Sequence, residues 1–233
     1  LENLQVADSF KVRGVANKLL NLTAEEKARG VVAFSTGNHG RAVAYVAREL
    51  GIRAVICVSN RVPGYRIDAI KRLGAEAEVI GKSQDEAMAR AYQLQKEQGL
   101  SVIHAFDDPL IIAGHGTIGL ELLEDLPEVD TVIVPLSGGA LVGGIALALK
   151  SANSAIRAIG VSMASSPTMY RSLQAGKPVE IEEKDSIADA LLGGVDLNNR
   201  YTFRMVQDIV DDVILLSEEE IAEGMFFALN EHR

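Results

Sequence analysis

At 233 residues and a formal charge of −9, the chain has room for one large or two modest α/β domains, and it lacks the basic surface that nucleic acid or an anionic membrane would require. Hydrophobic residues make up 48%, yet only 5% are aromatic and Trp is absent, a mix that suits the Val/Ile/Leu/Ala cores of buried sheets. The single Cys57 excludes an internal disulfide and reads as a buried strand residue in a reducing cytoplasm, and no run approaches the roughly 20 apolar residues of a membrane span.

The start, Leu1-Glu2-Asn3-Leu4-Gln5, has neither the basic nor the apolar part of a signal peptide. Without an initiator Met it is expected to lie inside a longer chain, and the other end is expected to stop in mid-helix. Ser9-Phe10-Lys11-Val12-Arg13-Gly14 follows, offering an amine between an aromatic ring and a fixed cation, and opens a helix predicted over 12–20. Taken alone, such a lysine reads as an ordinary solvated residue at a helix start, and only the two motifs below reverse that reading.

Apolar β-branched runs then alternate with amphipathic stretches, the signature of βα units and a mainly parallel sheet. Strands are predicted at 30–35, 53–59, 75–80, 101–105, 131–136, 155–162 and 212–216. Helices are predicted at 39–50, 65–73, 85–98, 117–123, 141–151 and 218–230. A boundary is placed near Phe106-Asp107-Asp108-Pro109, and Ser217-Glu218-Glu219-Glu220 reads as a capping box.

Two turns between strand and helix carry chemistry. Ser35-Thr36-Gly37-Asn38-His39-Gly40 combines a sharp turn with a helix N-terminus, where backbone N–H groups favour an anion such as a carboxylate. Ser, Thr and Asn also cap helices, so an N-cap alone fits too. Ser137-Gly138-Gly139-Ala140-Leu141 follows the next strong strand, and its small residues let a phosphate approach the backbone closely. Tight helix–strand packing is the alternative. No P-loop lysine follows, and neither Gly-x-Gly-x-x-Gly nor an acidic ribose ligand after Ile159-Gly160-Val161-Ser162 is present, which argues against ATP and dinucleotides. An amine together with two anion cradles describes a site for a phosphate-bearing aldehyde, pyridoxal 5′-phosphate.

With these three motifs, and with 106–118 and Ile187-Ala188-Asp189, the chain resembles the fold-type II pyridoxal phosphate enzymes, in the threonine dehydratase and serine racemase family. Residues 35–44 and 217–221 look most like the hydroxyectoine-utilisation dehydratases. The resemblance implies two three-layer α/β domains with mainly parallel sheets, like the tryptophan synthase β-subunit, with N- and C-terminal parts missing. Residues 1–30 and 108–233 would form the large cofactor domain and 31–107 the small one. It implies a cytoplasmic homodimeric ammonia-lyase acting by β-elimination on a small hydroxy-amino acid such as L-threonine, L-serine or a hydroxyectoine-derived amino acid. The alternatives are a racemase and an inactive cofactor- or amino-acid-binding regulatory module.

By the same resemblance Lys11 bonds the cofactor and moves the substrate α-proton, Phe10 lines the site, and Asn38 binds the ring oxygen. Ser137, Gly138, Gly139, Ala140 and Leu141 hold the phosphate, and Ser35, Thr36, Gly37, Asn38 and His39 surround the substrate carboxylate. Thr36 stands where racemases place an acid/base serine, which makes it the second catalytic candidate. Ser162 and Thr168 stand where metal-binding members carry carboxylates, so no metal is expected. Further departures bear on the site: Ala7-Asp8 replaces Thr-Gly ahead of Ser9, and Ser137 and Ala140 stand where glycines are frequent, although alanine takes φ > 0 only at a cost.

Overall fold

The computed structural model describes residues 1–231 apart from Thr36 and Ser83. It divides into two compact units, Leu1–Gly114 and His115–Arg233. In the first, strands β1 (Val31–Phe34), β2 (Ala54–Val58), β3 (Glu76–Val79) and β4 (Ser101–Val102) form one parallel sheet in the order β3-β2-β1-β4. Around it run α1 (Lys11–Leu20), α2 (Ala24–Arg29), α3 (Asn38–Glu49), α4 (Gly64–Arg72), α5 (Gln84–Gln98) and the start of α6 (Pro109–Asp125).

Alternate strand side chains point to opposite faces, and here both faces are covered. Val31, Ala33, Ala54, Ile56 and Val58 pack with Val15 and Leu19 of α1, Val43 and Ala47 of α3, and Ile70 of α4. Val32, Val55 and Cys57 pack with Ala87, Ala91 and Leu94 of α5 on the other side. That double burial is why the sequence shows unbroken β-branched runs where a half-exposed strand would alternate. Cys57 is buried in β2, as read from the sequence.

The second unit holds β5 (Thr131–Pro135), β6 (Arg157–Met163) and β7 (Asp212–Leu216), parallel and in that order, with α7 (Ala140–Ala152), α8 (Thr168–Ala175), α9 (Thr202–Ile209) and α10 (Glu218–Glu231). Val134 and Leu136 pack against Val142, Ile145 and Leu149 of α7, Met169 of α8, and Phe203 and Val206 of α9. The expected α/β class with two parallel sheets therefore holds. No helix among the described residues is long and apolar enough to cross a membrane.

Elements differ from the sequence reading where local signals were weak. Helix α6 begins at Pro109 rather than 117: Asp108 Oδ1 accepts from the N–H groups of Leu110 and Ile111 at 2.8 and 3.3 Å, and proline suits the first helical position. Gly114, Gly116 and Gly119 had diluted its helical signal. The unit division falls inside α6, beyond the 106–109 boundary read from the sequence. Strand β4 ends at Val102 because His104 Nδ1 accepts from the N–H groups of Phe106 and Asp107 at 3.3 and 2.8 Å, which turns the chain. The capping box at α10 forms as read: Glu220 N donates to Ser217 Oγ at 3.2 Å, and Ser217 N to Glu220 Oε2 at 2.8 Å.

Candidate active site

Lys11 is the first residue of α1 and is fixed by a tertiary bond: its Nζ donates to the Ala105 carbonyl at 2.9 Å. The same nitrogen lies 5.2 Å from the centre of the Phe10 ring. Burial of the amine lowers its pKa from 10.5 to about 8, since a poorly solvated site disfavours ammonium. Arg13, the fixed cation of the motif, is engaged by Glu2, with Nε and Nη2 donating to the carboxylate at 2.8 and 2.9 Å, and desolvation accounts for the shift.

The asparagine segment lies in the same unit. Gly37 precedes α3 without a side-chain cap, so the first N–H groups of a twelve-residue helix keep their donor capacity for an anion. Ser35 Oγ accepts from Gly37 N at 3.5 Å, and Asn38 is exposed at the helix start. Thr36 lies outside the described residues. Gly40 is required by space, because a Cβ there would come within 2.7 Å of the Ser35 carbonyl oxygen. His39 is 3% exposed, and its Nε2 lies 2.9 Å from the Ile103 carbonyl, which fixes the proton on that nitrogen. Burial, reinforced by the charges of Lys11 and His104, drives its pKa down to about 3 and keeps the ring neutral.

Among the described residues, Ser9 Oγ, His39 Nδ1 and Arg41 Nε of these two segments are buried without a protein partner. An unmet buried donor or acceptor costs about 1–3 kcal/mol, so each of these atoms suits a polar ligand that would meet its needs. The asparagine segment is also tied to the lysine segment by an ion pair from Arg41 Nη2 to Asp8 Oδ2, which the sequence reading missed. Lys18 and Asp108, 2.6 Å apart, together with the Asn17 Nδ2 bond to the Leu110 carbonyl at 2.7 Å, brace α1 against the start of α6.

The glycine loop belongs to the second unit. Leu136 N closes the end of β5 on the Val161 carbonyl at 2.7 Å, and the chain then turns through Ser137 and Gly138 into α7. Gly139 takes φ +91° directly before the helix, whereas Ala140 is its first residue and stays out of the left-handed region. The glycine-to-alanine departure at 140 is therefore harmless. A Cβ on Gly139 would approach Val206, Met169 and Thr202 at 2.9, 3.0 and 3.2 Å. Farther along, Gly143 lies under the Met205 side chain, so the packing explanation holds for that glycine. The loop offers buried small residues and an N-terminus with no side-chain cap, the features a phosphate needs.

The family model for pyridoxal-phosphate dependent enzymes matches residues 1–233. The chain belongs to this family. A putative threonine dehydratase of Sinorhizobium fredii is 46% identical over 233 residues, covering 100% of this chain and 70% of its relative. An L-threonine ammonia-lyase of Thermotoga maritima is 42% identical over 231 residues, 99% of this chain and 57% of the relative. The solved structure of maize serine racemase superposes with a TM-score of 0.92 at 35% identity, over 98% of this chain and 68% of that one. The chain thus spans little more than half the length of the Thermotoga relative. Pyridoxal phosphate is the cofactor of the family; the first unit's desolvated amine and orphaned polar atoms suit such a group, and so, taken by itself, does the second unit's uncapped glycine loop.

Proposed function

We propose that the chain carries the cofactor-binding part of an ammonia-lyase that eliminates water from a small β-hydroxy amino acid, L-threonine or L-serine, giving a 2-keto acid and ammonia. The observation that carries this reading is Lys11: an amine with a pKa near 8, held by the Ala105 carbonyl beside an aromatic ring. Such an amine is neutral often enough near neutral pH to bond an aldehyde and to take a proton. When bound, pyridoxal phosphate supplies an electron sink for the charge left at the substrate's α-carbon.

The chain's residues divide the remaining work. With the cofactor bound, Lys11 would take the substrate's α-proton, and Phe10 would exclude water from one side of the amine. The Asn38 amide would hold the cofactor's ring oxygen, while Ser35, Gly37, Asn38 and His39 at the start of α3, with Thr36, would hold the substrate carboxylate. The amides of Ser137, Gly138, Gly139, Ala140 and Leu141 hold the phosphate. Neutral His39, with its proton on Nε2, offers Nδ1 as an acceptor and is no proton source. One hydroxy-amino acid yields one keto acid and one ammonia, with water lost from the β-carbon and regained when the released enamine hydrolyses.

The assignment of 1–30 with 108–233 to a large domain and 31–107 to a small one, in a cytoplasmic homodimer, is part of this proposal. A second reading, racemisation with Lys11 and Thr36 on opposite faces of the substrate, draws on the likeness to serine racemase. Elimination is preferred because the relatives at 42–46% identity are described as dehydratase or ammonia-lyase. Nothing found favours a hydroxyectoine-derived substrate or a non-catalytic module. The test is full-length enzyme incubated with L-threonine and L-serine, with keto acid, ammonia and the D-enantiomers measured together. Stoichiometric keto acid and ammonia, abolished by Lys11→Ala, is the expected result. D-serine without keto acid would replace elimination by racemisation.

A further inference from the structure

Arg41 follows Asn38 by three residues on α3, so the two side chains leave the helix as neighbours. Its Nη2 donates to Asp8, while its Nε is buried with no acceptor among the described residues. Asp8 precedes Lys11 by three residues and holds φ +57°, a conformation usual for glycine and tolerated by Asp and Asn. One ion pair therefore joins the segment bearing the amine to the segment bearing the carboxylate cradle. The two side chains are 37% and 57% exposed, and pairs of that kind add little stability. Stability does not account for an aspartate in a glycine-like conformation, nor for a buried N–H that meets no acceptor among the described residues.

We propose that the Asp8–Arg41 pair sets substrate selectivity: Arg41 Nε donates to the substrate's side-chain acceptor, and Asp8 neutralises the guanidinium so that uncharged hydroxylated side chains are favoured over acidic ones. This rests on the elimination reading above and deepens it by naming the substrate class. With Asp8 in place, an incoming side-chain carboxylate meets a cation already compensated and a like charge beside it. Without that charge, the same guanidinium becomes a free partner for a carboxylate, and a hydrogen bond between charged groups is worth roughly tenfold or more in affinity.

Asp8→Asn in the full-length enzyme removes the charge and keeps a residue that accepts the left-handed backbone. The measurement is the ratio of kcat/KM for 3-hydroxyaspartate to that for threonine. The ratio rises roughly tenfold in Asp8→Asn and falls back in the Asp8→Asn/Arg41→Gln double variant. An unchanged ratio in Asp8→Asn, with threonine turned over by the wild type, overturns the selectivity role and leaves elimination standing. Wild-type enzyme that forms keto acid from neither threonine nor serine overturns elimination instead. In that event calorimetric titration with L-aspartate, which has no leaving group on its β-carbon, decides the pair's role without turnover. Tighter binding to Asp8→Asn than to wild type upholds it, and equal binding refutes it.

Discussion

Replacing Lys11 by methionine in the cofactor-free enzyme removes an amine whose burial the fold must tolerate. The folded-state pKa is about 8 against 10.5 for the free side chain, and at about 1.4 kcal/mol per pH unit this gap corresponds to about 3 kcal/mol at most. Below pH 8 the amine is protonated in both states, so the wild type bears the full cost of an enclosed ammonium. Between about 8 and 10.5 the unfolded chain holds the proton that the folded chain has lost, and wild-type stability rises with pH. Above 10.5 both states are neutral and the cost is gone. Lys11→Met has no such window. Its advantage over wild type should be largest at pH 7 and should shrink by about 3 kcal/mol toward pH 10.5, whatever constant packing difference the methionine adds. Urea unfolding of both proteins across that range measures it, because the other titrating groups cancel in the difference. Parallel stability curves would show that Lys11 is not desolvated and would refute the activated amine.

Other outcomes follow from the same structure. Gly139→Ala forces a side chain into a φ of +91° and against Val206, Met169 and Thr202, so it should cost about 1–3 kcal/mol in urea unfolding and weaken pyridoxal phosphate binding in equilibrium dialysis. Wild-type behaviour in both would remove the loop from the phosphate site. His39 should show a neutral ring protonated on Nε2 by nitrogen NMR from about pH 5 to 8, where an ordinary histidine would titrate. The same depressed pKa makes the fold lose stability as pH falls from 6.5 toward 3, since the unfolded chain takes up a proton that the folded chain refuses. The Cys57 thiol, pushed up to about 11 by burial and secondarily by the Glu78 charge, should resist iodoacetamide at pH 8 until the protein is denatured. Rapid labelling of the native enzyme would contradict its place in β2.

The parts of this fold legible in sequence were those written locally. Val31–Phe34 and Thr131–Pro135 each run into a small-residue turn and a helix, and both βα units formed as read. Short helices such as Thr168–Ala175 and Thr202–Ile209 were missed because eight residues give too few turns for a periodic signal. The site showed the same divide. Lys11 and the two turns stood out by composition, but what conditions them acts at a distance: the Ala105 carbonyl is 94 residues from Lys11, and Asp8 is 33 from Arg41. Arg13 illustrates the opposite error, a cation set beside the amine by its spacing in sequence when Glu2 engages it in the fold. Ala140 was suspected of strain because sequence cannot say which residue of Gly139-Ala140 takes the left-handed turn.

The central claim is that Lys11 carries the cofactor. Borohydride reduction of full-length enzyme loaded with pyridoxal phosphate, followed by peptide mass spectrometry, locates the attachment directly. A phosphopyridoxyl group on the peptide containing Ser9-Phe10-Lys11 is the predicted result. The same group on another lysine, or on none, would contradict the account.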